Sequence, residues 1–153
     1  MSKIGQIFAQ YKILSSLGVG GMGEVYLAED TKLGRRAALK FLASELKSDP
    51  VHLERFWREA RAASALNHPN ICTIYEISES GPNPFIAMEY IEGETLAEII
   101  RWQRLSVRQT VDIAIEAVAA LSEAHAKGVI HRDIKPANII VSKTGRVKIL
   151  DFG

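Results

Sequence analysis

The chain has 153 residues, of which 47% are apolar and 24% charged, with a net charge of +1. That composition suits one ordinary globular domain and excludes a disordered chain, while the short, mixed charge runs speak against a nucleic-acid tail or a polybasic membrane anchor. The single cysteine, Cys72, rules out an internal disulfide framework and fits a reducing compartment.

The N-terminal residues Met1 to Gly5 lack the apolar core of a signal peptide, and Ser2 rather than glycine follows Met1, so myristoylation is not indicated. The richest apolar stretch, Val111 to Leu121, is broken by Asp112 and Glu116 and is too short to span a bilayer. A cytoplasmic protein with no nucleic-acid partner and no membrane segment is the expectation. Residues 1–10 read as an extension ahead of the first strand.

Tyr11 to Leu14 is strand-like and leads into the glycine cluster Gly18-Val19-Gly20-Gly21-Met22-Gly23. Glu24 to Glu29 alternates in polarity and reads as its hairpin partner. After a polar turn at Lys32 to Arg35, Arg36 to Leu42 forms a third strand. Asp49-Pro50 starts a helix, with Asp49 as N-cap and proline at the first helical position. Leu53, Phe56, Trp57, Ala60 and Ala63 recur at helical spacing, and Asn67-His68-Pro69 ends the run.

Ile71 to Ser78 and Phe85 to Tyr90 are two further strands about a turn at Gly81 to Pro84. In the first of them Cys72 reads as a buried, inert thiol, with a reactive thiol as the alternative. Beyond Ile91 the character becomes helical. Thr95 to Trp102 is a short helix. Ser106 to Gln109 has capping-box spacing and opens a long helix with Val107, Val111, Ala114, Ile115, Val118 and Leu121 on one face, stopped at Lys127-Gly128. Strands at Ile139 to Val141 and Val147 to Leu150 flank a turn. The expected fold class is α+β: a five-stranded antiparallel sheet with one helix over 11–90, then a mostly helical segment over 91–153.

Several residues stand out chemically. Gly18, Gly20 and Gly23 lie between two strands, which excludes the strand-to-helix setting of a dinucleotide fold; a hairpin turn is the plain alternative. Lys40 is a cation amid apolar neighbours. It shares a face with Ala38, and a buried ammonium needs a carboxylate partner. Glu59 on the following helix is the candidate, although a surface pairing with a neighbouring arginine is also open. His131 to Asn138 contains Asp133, Lys135 and Asn138, and Asp151-Phe152-Gly153 follows the last strand. Asn138 and Asp151 offer the oxygen donors that a hard cation prefers. His52, His68 and His125 have no ligand spacing, and His131 reads as a core histidine.

In this order, the glycine cluster with Val25, then Lys40, Glu59, His131-Arg132-Asp133, Asn138 and Asp151 resemble the ATP-binding and catalytic half of a eukaryotic-like, Hanks-type serine/threonine protein kinase. Arg55 to Ala60 and Asn67 to Ile71 resemble the bacterial style of that family. The resemblance runs from about Tyr11 to Gly153 and covers a little over half of the family's domain. The activation segment and the large C-terminal helices that cover the long helix lie beyond it, so an isolated chain of this length is expected to be aggregation-prone, with impaired or no activity.

The resemblance implies ATP and Mg²⁺ as cofactors and the Ser/Thr hydroxyl of a protein as acceptor. Gly18, Val19, Gly20, Gly21 and Gly23 would close over the phosphates, Lys40 would hold them, and Glu59 would pair with Lys40. Val25, Ala38 and Ile140 would sandwich the adenine, with backbone groups of Glu89 and Ile91 binding its edge; each is equally readable as ordinary core. Asp133 would receive or orient the hydroxyl proton, Lys135 would neutralise the γ-phosphate, and Asn138 and Asp151 would hold the metal. Arg132 would meet a phosphorylated activation-segment residue, leaving it no partner in this chain. The alternatives are a nucleotide-binding or docking module without turnover, and a small-molecule phosphotransferase, against which Arg132 and Lys135 speak.

Overall fold

The structure, a computed structural model, describes residues 3–20, 23–43, 48–79 and 81–152. The chain divides into two compact units: Met1–Arg58 with Ile74–Tyr90, and Glu59–Thr73 with Ile91–Gly153.

The first unit is built on an antiparallel sheet. Its strands are β1 (Ile7–Phe8), β2 (Tyr11–Gly20), β3 (Gly23–Asp30), β4 (Arg35–Leu42), β5 (Ile74–Ser78) and β6 (Phe85–Glu89), in the order β1-β2-β3-β4-β6-β5. The sheet therefore has six strands where the sequence suggested five. The sixth comes from the N-terminal extension, because Ile7 and Phe8 turn back to pair with Lys12 and Tyr11. Side chains alternate across the pleat. Tyr11, Ile13, Tyr26, Ala28, Leu39, Phe41, Phe85 and Ala87 form one core cluster. Phe41 is its centre, with Phe8, Tyr26 and Phe85 packed around its ring at 4.8, 5.9 and 5.7 Å.

The β2–β3 ladder has irregularities between Ile13 and Ser15 and between Ser16 and Gly18, and closes with Gly20 opposite Gly23. Gly23 is required by the fold itself. Its φ is +139°, and a Cβ there would lie 1.9 Å from the carbonyl oxygen of Phe41, so only glycine fits.

Helix α1 (Pro50–Ser64) begins where the Asp49-Pro50 signal places it. The Asp49 carboxylate accepts from the backbone N–H groups of Val51 and His52 at 3.0 and 3.3 Å, the capping arrangement that satisfies otherwise orphaned donors. The run expected as one strand from Ile71 to Ser78 is divided. Only Ile74–Ser78 joins the large sheet, while Ile71 bridges Ile149 and the Cys72 N–H donates to the Ile149 carbonyl at 2.9 Å. An apolar run shows that residues are buried, not which core buries them.

The second unit carries α2 (Leu96–Trp102), α3 (Val107–Ala126), a 3₁₀ turn at Pro136–Asn138, and a three-stranded sheet of β7 (Gly93–Thr95), β8 (Ile139–Ser142) and β9 (Val147–Ile149) in that order. Both α2 and α3 open with complete capping boxes, Thr95 with Glu98 and Ser106 with Gln109. Helix α3 packs through Ala117, Ala120, Leu121 and Ala124 against Leu66, Ile71 and Ile149. The face that the sequence singles out is a neighbouring one, and Val111, Ile115 and Val118 on it remain 48%, 61% and 62% exposed. The helix is apolar around most of its girth, and alanines allow the close approach that the bulkier residues cannot.

Candidate active site

In the first unit, Gly18 and Gly20 are exposed, and a Cβ at either would meet nothing within 4 Å. The fold does not demand glycine at these two positions, in contrast to Gly23. Val19 between them is 77% exposed. Gly21 lies outside the described residues. Val25 stands opposite Lys40 on the neighbouring strand, Lys40 opposite Ile86, and Ala38 opposite Met88. These residues share the sheet face that points away from Phe41. Lys40 and Ala38 are buried. Glu89 ends β6 opposite Ala37. Ile91 begins the next stretch of the second unit and is half-buried.

The second unit gathers Asp133, Lys135, Asn138, Ile140 and Asp151. His131 organises them. It is buried, its Nε2 lies 2.6 Å from the Leu150 carbonyl oxygen, and its Nδ1 accepts from the Asp133 N–H at 3.2 Å. With Nδ1 accepting, Nε2 is the ring nitrogen that donates, to the Leu150 carbonyl. Its ring lies 4.7 Å from that of Phe152. The histidine is thus a strut between two segments, and it is buried as the sequence reading of a core histidine expects.

Asn138 is the second organiser. Its side-chain amide donates to the Asp133 carbonyl at 2.9 Å and to the Asp133 carboxylate at 3.2 Å, and its backbone carbonyl accepts from the Leu150 N–H at 2.9 Å. One residue therefore fixes both Asp133 and the position that precedes Asp151. With both amide hydrogens directed to Asp133, the oxygen Oδ1 is left as the acceptor. Lys135 Nζ sits 2.9 Å from the Asp133 carboxylate. That contact, with help from Asn138, holds the Asp133 carboxyl below its ordinary range, so it is ionised at neutral pH. Ile140 pairs with Thr95 and Lys148.

Arg132 and Asp151 both have left-handed backbone conformations, with φ of 68° and 52°. Such angles cost of order 1–3 kcal/mol for residues other than glycine, and they concentrate at functional sites. Glu59, expected beside Lys40, carries an ion pair with Arg132 at 2.9 Å. Arg132 accordingly has a partner within this chain, which the sequence reading did not foresee. No sequence signal marked it, because 73 residues separate the two.

A further element missed by sequence reasoning is the clamp on β9. The buried Asn70 amide donates to Glu116 at 2.5 Å and to the Val147 carbonyl at 2.8 Å, and Glu116 also accepts from the Val147 N–H at 3.0 Å. The available signal was Glu116, one of two carboxylates that interrupt the apolar stretch Val111 to Leu121 of α3. The clamp holds the strand that leads to Asp151.

The oxygen set fits a hard divalent cation. Asn138 Oδ1 and the Asp151 carboxylate come from paired ends of β8 and β9, and among the described residues no cluster of three His, Cys, Asp or Glu side chains exists to cage a metal. Mg²⁺ is commonly held by one or two carboxylate-type ligands with phosphate and water completing its shell.

Residues 11–153 match the protein kinase domain family. Among curated proteins, the chain is 45% identical over 149 residues to the serine/threonine-protein kinase PknB of Mycobacterium leprae, covering 94% of this chain and 24% of that protein. It is 44% identical over 150 residues to the serine/threonine-protein kinase PknA of Mycobacterium tuberculosis, covering 94% of this chain and 35% of that protein. The crystal structure of the Mycobacterium tuberculosis PknI kinase domain superposes with a TM-score of 0.88 at 32% identity, over 99% of this chain and 61% of that one. The chain thus spans about a quarter to a third of the length of these curated relatives.

Proposed function

The chain belongs to the protein kinase domain family, and on that premise we propose that it is the ATP-binding and catalytic stretch of a serine/threonine protein kinase. The Asp133 cluster carries this reading: an ionised carboxylate held by Lys135 and by Asn138, which also bonds to the residue preceding Asp151. Asp133 receives the proton of a Ser or Thr hydroxyl on a protein substrate as its oxygen bonds to the γ-phosphorus, and the bond from that phosphorus to the β-γ bridging oxygen breaks to release ADP. Lys135 offsets charge on the transferring group. Lys40 binds the phosphates beneath the amides of Gly18, Val19 and Gly20, while Val25, Ala38 and Ile140 flank the adenine and the backbones of Glu89 and Ile91 meet its edge. Asn138 and Asp151 are the residues that hold Mg²⁺, which supplies charge neutralisation across the phosphates when bound. Glu59 pairs with Lys40 and orients it toward the phosphates.

Among the described residues no helix is long and apolar enough to cross a membrane, and a cytoplasmic setting is part of the proposal, supported by the buried thiol of Cys72. The test is phosphoryl transfer to a generic protein substrate, beside an Asp133→Asn variant. A loss of about 10²–10⁴ in rate with nucleotide affinity retained is expected. Nucleotide binding by the unmodified chain without any transfer supports the second reading, a binding or docking module, which the exposed Val111, Ile115 and Val118 on α3 also suit.

A further inference from the structure

Residues 3–8 precede the stretch that matches the family, which begins at residue 11, yet they are built into the glycine-bearing strands. Gly5 N–H donates to the Ile13 carbonyl and Ile13 N–H donates to the Gln6 carbonyl, both at 2.9 Å, and Ile7 and Phe8 pair with β2. The segment then ties itself to β3 through a charge. Lys3 Nζ is ion-paired with the Glu24 carboxylate, and the Lys3 side chain is only 20% exposed there. Its ammonium lies 5.1 Å from the Phe41 ring centre and 5.6 Å from that of Tyr26, distances at which a cation is attracted to an aromatic face. The Tyr26 hydroxyl donates to the same Glu24 oxygen at 3.2 Å.

The place of Glu24 gives this contact its reach. Glu24 follows Gly23 and stands opposite Val19, between Gly18 and Gly20, on one side and opposite Phe41 on the other. This end of the ladder is weakly determined. Glycines add backbone freedom, and two register irregularities interrupt β2 before it. Phe41, by contrast, lies in the buried core. A charge anchored over Phe41 and bonded to Glu24 couples the loose end of the hairpin to the rigid one. The anchoring happens on the sheet face that carries Tyr26 and Phe41, opposite the face of Val25 and Lys40.

We propose that residues 3–8 form a strap in which Lys3, through Glu24, positions the Gly18–Gly20 and Gly23–Val25 strand ends, making Lys3 a positioning residue for nucleotide binding. The effect on nucleotide rests on the kinase reading; the effect on the strands does not.

Two measurements separate these. The first is amide hydrogen exchange without nucleotide, in the unmodified chain and in Lys3→Ala, Lys3→Arg, Lys3→Glu and the exchanged pair Lys3→Glu with Glu24→Lys. Lys3→Ala and Lys3→Glu are expected to speed exchange at Gly18–Gly20 and Gly23–Val25 while β4 and β6 are unchanged, and Lys3→Arg and the exchanged pair to restore protection. Unchanged exchange, or a uniform rise from Lys12 to Glu89 that marks general loss of stability, overturns the proposal. The second is titration with a fluorescent ATP analogue in Mg²⁺, where Lys3→Ala is expected to weaken affinity about fivefold, the scale of one partly buried ion pair, and Lys3→Arg to recover it. An unmodified chain that binds no nucleotide overturns the kinase reading, and the exchange result then decides the strap alone. Binding by the unmodified chain with no loss in Lys3→Ala overturns the positioning role.

Discussion

The side-chain amide of Asn138 donates to two oxygens of Asp133, the backbone carbonyl and the carboxylate. Both of its hydrogens are consumed in holding Asp133, which leaves Oδ1 as its acceptor, the atom that the proposed Mg²⁺ site would use. Asn138→Ala removes the restraint and the donor together. The nucleotide affinity of this variant is expected to require about 10- to 100-fold more Mg²⁺, the usual scale for residues that orient or support a metal site. A titration of nucleotide across a Mg²⁺ series measures this, and an unshifted Mg²⁺ requirement removes Asn138 from the metal site.

Two glycines of the β2–β3 pair are expected to respond in opposite ways. Gly23→Ala drives a Cβ into the Phe41 carbonyl at a left-handed φ and should cost about 2–4 kcal/mol of stability. Gly18→Ala points a methyl into open space, so stability should stay within about 0.5 kcal/mol while ATP-analogue affinity falls about tenfold, or ~1.4 kcal/mol. Thermal melts and nucleotide titrations of both variants separate a glycine demanded by the fold from one demanded by a ligand.

Glu116 accepts hydrogen bonds from both the Asn70 amide and the Val147 N–H. Glu116→Ala leaves those donors without their acceptor, at about 1–3 kcal/mol for each unsatisfied group. Glu116→Gln keeps an oxygen for one of them and should lose less than half as much. Urea unfolding of the two variants ranks them, and equal losses would show that packing rather than the clamp matters at this position.

Tyr11 is buried, and its hydroxyl donates to Glu76 at 3.1 Å. Burial first, and then that hydrogen bond beside a carboxylate, push its pKa from 10.0 up to about 12. The folded state therefore holds the phenolic proton more tightly than the unfolded chain does. The corresponding stability is fully present below pH 10 and is lost as pH rises through the window to about 12. Stability measured against pH should fall across that window and flatten there in Tyr11→Phe, which lacks the titrating group. A wild-type profile parallel to that of Tyr11→Phe would show that the phenol does not titrate late.

Local signals carried far in this chain because they depend on neighbouring residues. Asp49-Pro50 and Ser106 to Gln109 placed two helix starts through capping geometry that four residues suffice to define. The turn at Ser142 to Arg146 lies between strands that pair directly, Val141 with Val147. His131 was legible as a core histidine, and it is buried. The division of Ile71 to Ser78 was not legible, since the same apolar run feeds the core of one unit and the sheet of the other. Nor was the packed face of α3, where alanine size rather than hydrophobicity selects the side that meets β9.

The sequence by itself determined the family, the order of the motifs and most element types, because periodicity, capping and motif spacing are short-range properties. Tertiary structure alone decided which distant polar groups meet: Arg132 with Glu59, Lys3 with Glu24, and Asn70 with Glu116. Each pair or contact joins segments separated by 21 to 73 residues, and only the closure of the backbone, driven by burial of the two apolar cores, selects one partner from the many charged and polar side chains available.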